Sequence, residues 1–275
     1  MRILDWEEFT SPKIPGTETA GQGGLAVSIG VFDGVHRGHQ RLIEKIVRHG
    51  DEHGSIPTVV TFKQSPRRLL HPDSWHGDIY SIKQKLSVFE TLGVKQAVLI
   101  DFSENFSKIT GREFVDLLKS RRRLDFLTVG ANFRCGYRLD TDAAAIQAMN
   151  REAGISTEVL SQVLEGGHPV SSSRIRRAVL AGDLSEAALL LGRRLRIDLE
   201  GIPAVKTGTG VLYDAVAAGR IVPPAGLYPA RIFQIDSAGL ADSSDSREGI
   251  KTEISINSDG KILSPLGGLA VEFIN

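Results

Sequence analysis

Residues 30–39 read Gly-Val-Phe-Asp-Gly-Val-His-Arg-Gly-His, a spacing suited to holding a phosphate. Gly30 and Gly34 let the main chain turn closely against a ligand. His36 and His39 are three residues apart, so at the start of a helix they share one face. Gly38 leaves that face uncrowded. The helix end adds free N–H groups and partial positive charge. Two imidazoles beside it can stabilise charge building on a phosphorus centre during transfer. The competing account is a pair of surface histidines, or half of a zinc site. Zinc needs further ligands, and Cys135 is the one thiol in the chain.

A second segment, Ser171-Ser172-Ser173-Arg174-Ile175-Arg176-Arg177, points the same way. Its serines can cap a helix and donate hydroxyls. Arg174, Arg176 and Arg177 then fall in the first turn, where cations oppose the helix dipole unless an anion is bound. A triphosphate would answer that conflict. An ordinary cap with solvated arginines is the alternative, and the segment alone does not separate the two.

The elements that must position these residues follow from periodicity. Apolar runs at 25–29, 56–62, 96–100, 126–129 and 157–164 predict five strands. Between them, residues 40–48 carry Leu42, Ile43, Ile46 and Val47 on one helical face. Ser81 with Gln84, and Thr110 with Glu113, are capping boxes that open two more helices. Helices are also expected at 143–152, 172–181 and 184–191, the last capped by Asp183. Strand and helix in alternation predict a parallel sheet covered on both faces. Ligands of such a sheet sit beyond the carboxyl ends of its strands. Four of the five strand ends lead into Gly, Asn, Ser, His or Arg, including Lys63 to Arg68 and Gly130-Ala131-Asn132-Phe133-Arg134.

After Gly192 the helical periodicity stops. Short strands are expected at 226–235, 252–256 and 269–274, with a polar loop at 236–248. The fold class is therefore α/β, with a parallel-sheet domain at 1–192 and a smaller all-β, barrel-like domain at 193–275.

Lys plus Arg total 33, as do Asp plus Glu, so the formal net charge is zero. A general electrostatic grip on nucleic acid or an anionic membrane is not expected. One cysteine precludes an internal disulfide and fits a reducing cytoplasm. No apolar run suits a signal peptide or a bilayer span.

Residues 27–40, from Val27 through Gly30, Asp33, His36 and His39 to Gln40, resemble the first nucleotide-binding signature of the bacterial FAD synthetases. In that family an FMN adenylyltransferase module precedes a riboflavin kinase module. Gly130-Ala131-Asn132-Phe133-Arg134-Cys135-Gly136 is similar to the family's next segment, with Cys135 in place of an aromatic residue. Val170-Ser171-Ser172-Ser173-Arg174-Ile175-Arg176 resembles its serine-arginine motif. The resemblance covers most of residues 25–193.

It implies a Rossmann-like nucleotidyltransferase domain in which the FMN phosphate attacks the α-phosphorus of ATP. Mg²⁺ assists, and FAD and pyrophosphate are the products. Carried over by position, the catalytic residues are His36, His39, Asn132 and Arg176. ATP would meet Gly30, Phe32, Asp33, Gly34, His36, Gly38, His39, Ser171, Ser172, Ser173 and Arg176. The flavin would meet Phe62, Ser65, Pro66, Asn132 and Phe133. No residue is assigned to a metal.

Two departures stand out. Thr61-Phe62-Lys63-Gln64-Ser65-Pro66 lacks the family's His and first Pro, which bears on the acceptor. The kinase motif Gly-Phe-Pro-Thr-Ala-Asn does not occur after residue 193, although 221–228 resemble the segment that follows it. An adenylyltransferase without kinase activity is expected. A transferase for another phosphorylated acceptor, or a non-catalytic flavin-binding or regulatory protein, remain the alternatives.

Overall fold

The β-branched and aliphatic runs form strands, and the amphipathic segments between them form helices. This is seen in a computed structural model that describes residues 1–11, 23–120, 123–233 and 249–274. Strand β1 (Arg2–Asp5) and helix α1 (Trp6–Thr10) precede β2 (Leu25–Ile29). Next come α2 (Arg37–His53), β3 (Ile56–Phe62), α3 (Pro66–Leu70), α4 (Ile82–Thr91), β4 (Gln96–Ile100), α5 (Gly111–Ser120) and β5 (Leu124–Gly130). The short strands β6 (Arg134–Cys135) and β7 (Thr141–Asp142) pair antiparallel and lead into α6 (Ala143–Glu152) and β8 (Ser156–Leu160).

Six strands form one parallel sheet in the order β1-β4-β3-β2-β5-β8. From β2 the chain runs outward through β3 to β4, then returns to the other side of β2 for β5 and β8. The order reverses between β2 and β5, and that is where an open parallel sheet leaves a crevice. Every residue of β2 and β4 is buried, as expected for strands covered on both faces.

The chain continues through a two-stranded sheet of β9 (Leu164–Glu165) and β10 (His168–Pro169), then α7 (Ser172–Leu180) and α8 (Leu184–Leu191). The remaining strands are β11 (Arg196–Asp198), β12 (Ala204–Thr207), β13 (Gly210–Tyr213), β14 (Gly226–Phe233), β15 (Ile250–Ile256), β16 (Ile262–Ser264) and β17 (Ala270–Phe273). They form an antiparallel sheet in the order β11-β17-β14-β15-β16-β13-β12. The end strands β11 and β12 are not neighbours in it, so the sheet is a half-barrel. Its strands alternate: Ala230 and Ile232 of β14 are buried while the residues beside them are not.

By density of internal contacts the chain forms two compact units. One is Met1–Phe32, Gly38–Pro72 and Val88–Leu164; the other is Asp33–Arg37, Asp73–Ser87 and Glu165–Asn275. The antiparallel strands begin at Arg196, and the second unit takes in the chain from Glu165 onward. Helices α7 and α8 group with the antiparallel sheet. The expected loop at 236–248 lies outside the described residues.

Both capping boxes form reciprocally. The Ser81 amide donates to Gln84 Oε1 and the Gln84 amide to Ser81 Oγ, each at 3.0 Å. The Thr110 amide donates to Glu113 Oε2 at 2.8 Å, and the Glu113 amide to Thr110 Oγ1 at 3.3 Å. Asp183 caps α8 by accepting from the Glu186 amide at 2.9 Å. No helix among the described residues is long and apolar enough to cross a membrane.

Periodicity did not foresee β1 and α1. Only Leu4 of β1 is buried, because β1 is an edge strand, and α1 is barely one turn long. Their weight comes from packing. The Trp6 ring stacks on Phe114 at 5.3 Å and meets Phe106 edge-on at 5.8 Å. Trp6→Ala should therefore cost about 3–5 kcal/mol of unfolding free energy, read from urea denaturation. A loss below ~1 kcal/mol would show that this corner is expendable.

Candidate active site

In the first unit, the two strands beside the reversal point end in candidate residues. After β2 the chain enters Gly30, whose amide donates to Val60 O at 3.1 Å, while Thr61 Oγ1 donates to Val31 O at 3.1 Å. The loop thus starts as an extension of the sheet. Phe32 is fully buried at 0 % exposure and meets His39 edge-on at 5.1 Å and Phe89 at 5.6 Å. Its ring is a packing group. After β5, Asn132 is exposed, and a Cβ on Gly130 would lie 3.1 Å from Asn132 Oδ1. Phe133 is half-buried against the core. Phe62 is half-buried, edge-on to Phe102 at 5.7 Å; Ser65 is buried and Pro66 opens α3. Lys63, in the departing segment, pairs with Asp5 at 2.8 Å.

In the second unit, Asp33–Arg37 is held by an unusually dense set of bonds. The Asp33 carboxylate is buried. It accepts from the Ile79 amide at 3.0 and 3.1 Å, from the Tyr80 amide at 3.1 Å, and from Arg176 Nη2. Arg176 Nε donates to Gly77 O at 3.1 Å. Ser172 Oγ donates to the Asp33 carbonyl at 2.9 Å. Arg193 Nη2 donates to Gly34 O at 2.7 Å and Val35 O at 3.1 Å.

These bonds hold a strained turn. Phe32, Gly34 and Val35 have φ of 51°, 76° and 39°, a region that costs a β-branched residue most. The positive φ favours glycine at Gly34, and an added Cβ would also crowd the Ile79 and Leu191 side chains at 3.1 Å.

The serine-arginine segment therefore meets the loop directly. Ser171 caps α7 by accepting from the Arg174 amide at 3.2 Å, Ser172 reaches Asp33, and Ser173 is exposed. The conflict between first-turn cations and the helix dipole has an internal answer. Arg174 pairs with Glu186 at 2.8 Å and donates to Glu165 O and His168 O, while Arg176 pairs with Asp33. Only Arg177 of the three is exposed. Single-sequence reasoning could not see that the anions were the protein's own.

His36 follows the strained turn and is 6 % exposed. Burial lowers its pKa to about 4, and the Arg193 charge pushes the same way. The imidazole is neutral at pH 7, so it offers hydrogen bonds and no charge. His39 is half-buried. Lys85 and Asp78 were not foreseen. Lys85 is 5 % exposed, and burial lowers its pKa against the opposing pull of Asp33 and Asp78. Burial and Asp33 raise that of Asp78, which accepts from Trp75 Nε1 at 3.2 Å. Two carboxylates and two cations thus balance behind the turn. A lysine on an amphipathic helix reads as solvated, so no sequence signal marked it. Burial pushes the Cys135 thiol up to about 12, which fits an inert filler. No group of three or more His, Cys, Asp or Glu among the described residues could hold a metal ion.

The family model for FAD synthetase matches residues 18–174. The chain is 31 % identical over 225 residues to a bifunctional riboflavin kinase/FMN adenylyltransferase of Escherichia coli K12, covering 80 % of this chain and 72 % of the relative. A protein of the same description from Pseudomonas fluorescens is 31 % identical over 242 residues, covering 86 % and 76 %. One from Bacillus subtilis 168 is 28 % identical over 211 residues, covering 74 % and 66 %. Among solved structures, one described as a macrolide-efflux protein from Streptococcus pneumoniae superposes with a TM-score of 0.75. It covers 99 % of this chain and 89 % of its own at 20 % identity, a likeness of fold alone.

Two outcomes follow from the site's electrostatics. Asp33→Asn leaves Arg176 buried without its anion and should cost about 3–5 kcal/mol, measured by urea unfolding. For His36, the folded pKa lies below the unfolded one. The unfolded chain takes up a proton below about pH 6.5 that the folded chain refuses until about pH 4. Stability is complete above pH 6.5 and lost as the pH falls toward 4, by about 3 kcal/mol from this residue. His36→Gln should flatten that limb of the stability–pH curve; an unchanged limb would contradict the assignment.

Proposed function

The chain belongs to the FAD synthetase family, and from that membership we propose how its residues transfer the AMP moiety of ATP to FMN, giving FAD and pyrophosphate. It is an FMN adenylyltransferase. The observation that supports the division of labour is the clamped, left-handed turn that leads straight into His36 and the first turn of α2.

In the transfer, an FMN phosphate oxygen attacks the α-phosphorus of ATP while the α–β bridging bond breaks and pyrophosphate leaves. No covalent enzyme intermediate is needed, so positioning and electrostatics carry the rate. His36, neutral at pH 7, donates a hydrogen bond to a phosphate oxygen. His39, on the same helix end, donates a second. The N-terminus of the 17-residue α2 adds main-chain N–H groups and the positive end of its dipole. Gly30, Gly34 and Gly38 keep the backbone open to the nucleotide. Ser171, Ser172, Ser173 and Arg176 hold the β- and γ-phosphates, Ser172 through its main-chain N–H because its hydroxyl donates to the Asp33 carbonyl, and Arg176 with its Nε and Nη2 edge committed to the loop. Phe32 and Asp33 serve the nucleotide by holding the loop's shape. Asn132 contacts the reacting phosphates, and Phe62, Ser65, Pro66 and Phe133 face the flavin.

Mg²⁺ enters as part of the substrate, MgATP. The described residues offer no carboxylate cage, and Mg²⁺ commonly keeps phosphate and water ligands. The reading includes a cytoplasmic location, supported by the single free cysteine and by ATP as substrate. It also includes the absence of riboflavin kinase activity, supported by the lack of Gly-Phe-Pro-Thr-Ala-Asn after residue 193.

Purified protein with FMN, ATP and Mg²⁺ should yield FAD and pyrophosphate. His36→Ala and His39→Ala should each lower kcat by about 100-fold or more while the protein stays folded. Near-normal turnover in both would remove the assigned roles. Turnover with a different phosphorylated acceptor, and none with FMN, would remove FMN as the acceptor. Riboflavin and ATP should give no FMN; chromatographic detection of FMN would show the kinase to be present.

A further inference from the structure

Arg193 was outside every site assigned from the sequence, and it lies beyond residues 18–174 that match the family model. Its guanidinium is nevertheless spent on the phosphate loop. Nη2 donates to the carbonyls of Gly34 at 2.7 Å and Val35 at 3.1 Å. Nε donates to the Tyr80 hydroxyl at 2.8 Å, and Nη1 to Leu191 O at 3.2 Å. The group also lies over the Tyr80 ring at 5.1 Å. The two carbonyls it grips belong to residues with φ of 76° and 39°. A turn of this kind persists only where its surroundings over-determine it. The Leu191 carbonyl sits at the C-terminus of α8, where a cation is favoured.

We infer that Arg193 is a positioning residue for adenylyl transfer: its fork holds the left-handed Gly34–Val35 turn and so sets where His36 meets the phosphates. A planar fork can serve two adjacent carbonyls and a hydroxyl at once; a lysine ammonium on a flexible stem cannot hold that plane. Misplacement on the order of 1 Å costs transfer rate more than it costs ground-state binding.

The inference rests on the adenylyltransferase reading, and FAD formation by the unaltered protein separates the two: no FAD at all sinks the reading itself. The test compares Arg193→Lys and Arg193→Ala for kcat, for KM of ATP and FMN, and for thermal stability. Expected is a kcat about 10- to 100-fold lower in both, with each KM within about threefold of the parent. Added methylguanidinium should raise the kcat of Arg193→Ala at least about threefold with no matching rise in Tm, which a purely structural role would not give. A kcat within twofold of the parent in either variant overturns the inference. So does a rate that merely tracks the folded fraction without rescue. If Arg193→Ala does not fold, Arg193→Lys decides by its kcat against KM; failure of both to fold makes the arginine structural and likewise overturns it.

Discussion

The Asp33 carboxylate is the interaction on which the site depends. A carboxylate taken out of water costs several kcal/mol unless its oxygens are filled. Here the Ile79 and Tyr80 amides and the Arg176 guanidinium fill them. Those partners come from separate stretches of chain, so the buried charge ties 73–87 and the start of α7 to the turn at 33–35. Lys85 and Asp78 extend the same logic by bringing one more cation and one more anion into the buried group. A charge-balanced set of this kind specifies one arrangement strongly, because removing any member leaves another unpaired.

What the anchor secures is strain. Positive φ at Phe32, Gly34 and Val35 costs on the order of 1–3 kcal/mol per non-glycine residue. Hydrogen bonds from Ser172 and Arg193 to three successive carbonyls offset that cost. The result is a rigid approach to His36. Burial there keeps the imidazole neutral, so His36 offers hydrogen bonds and no charge. A neutral donor also has the advantage of not pairing with the protein's own carboxylates.

The arginine-rich first turn of α7 shows how a sequence-level conflict can be answered in more than one way. Cations at a helix N-terminus suggested an external anion. Glu186 and Asp33 supply internal ones. Ser172 and Arg176 bond directly to Asp33, so the segment's visible effect is to weld the helix to the loop.

Several things were legible in the residues themselves. The parallel sheet followed from buried β-branched runs spaced by amphipathic helices, since burial on two faces demands continuous apolar strands. The capping boxes at Ser81 and Thr110 and the cap at Asp183 were local, so three-residue spacing sufficed to find them. The glycine spacing at 30–39 marked a tight turn, and Gly34 does take φ of 76° there. Only tertiary structure decided the rest. That Asp33 is an internal anchor, that Phe32 packs inward, that His36 is neutral, and that Lys85 and Arg193 matter depend on partners distant in sequence, such as Ile79, 46 residues from Asp33, and Arg193, 159 residues from Gly34. The edge strand β1 and the grouping of α7 and α8 with the antiparallel sheet depend on packing across the chain in the same way. Hydrogen-bond satisfaction and desolvation are properties of surroundings, and a single sequence lists residues without saying which of them surround one another.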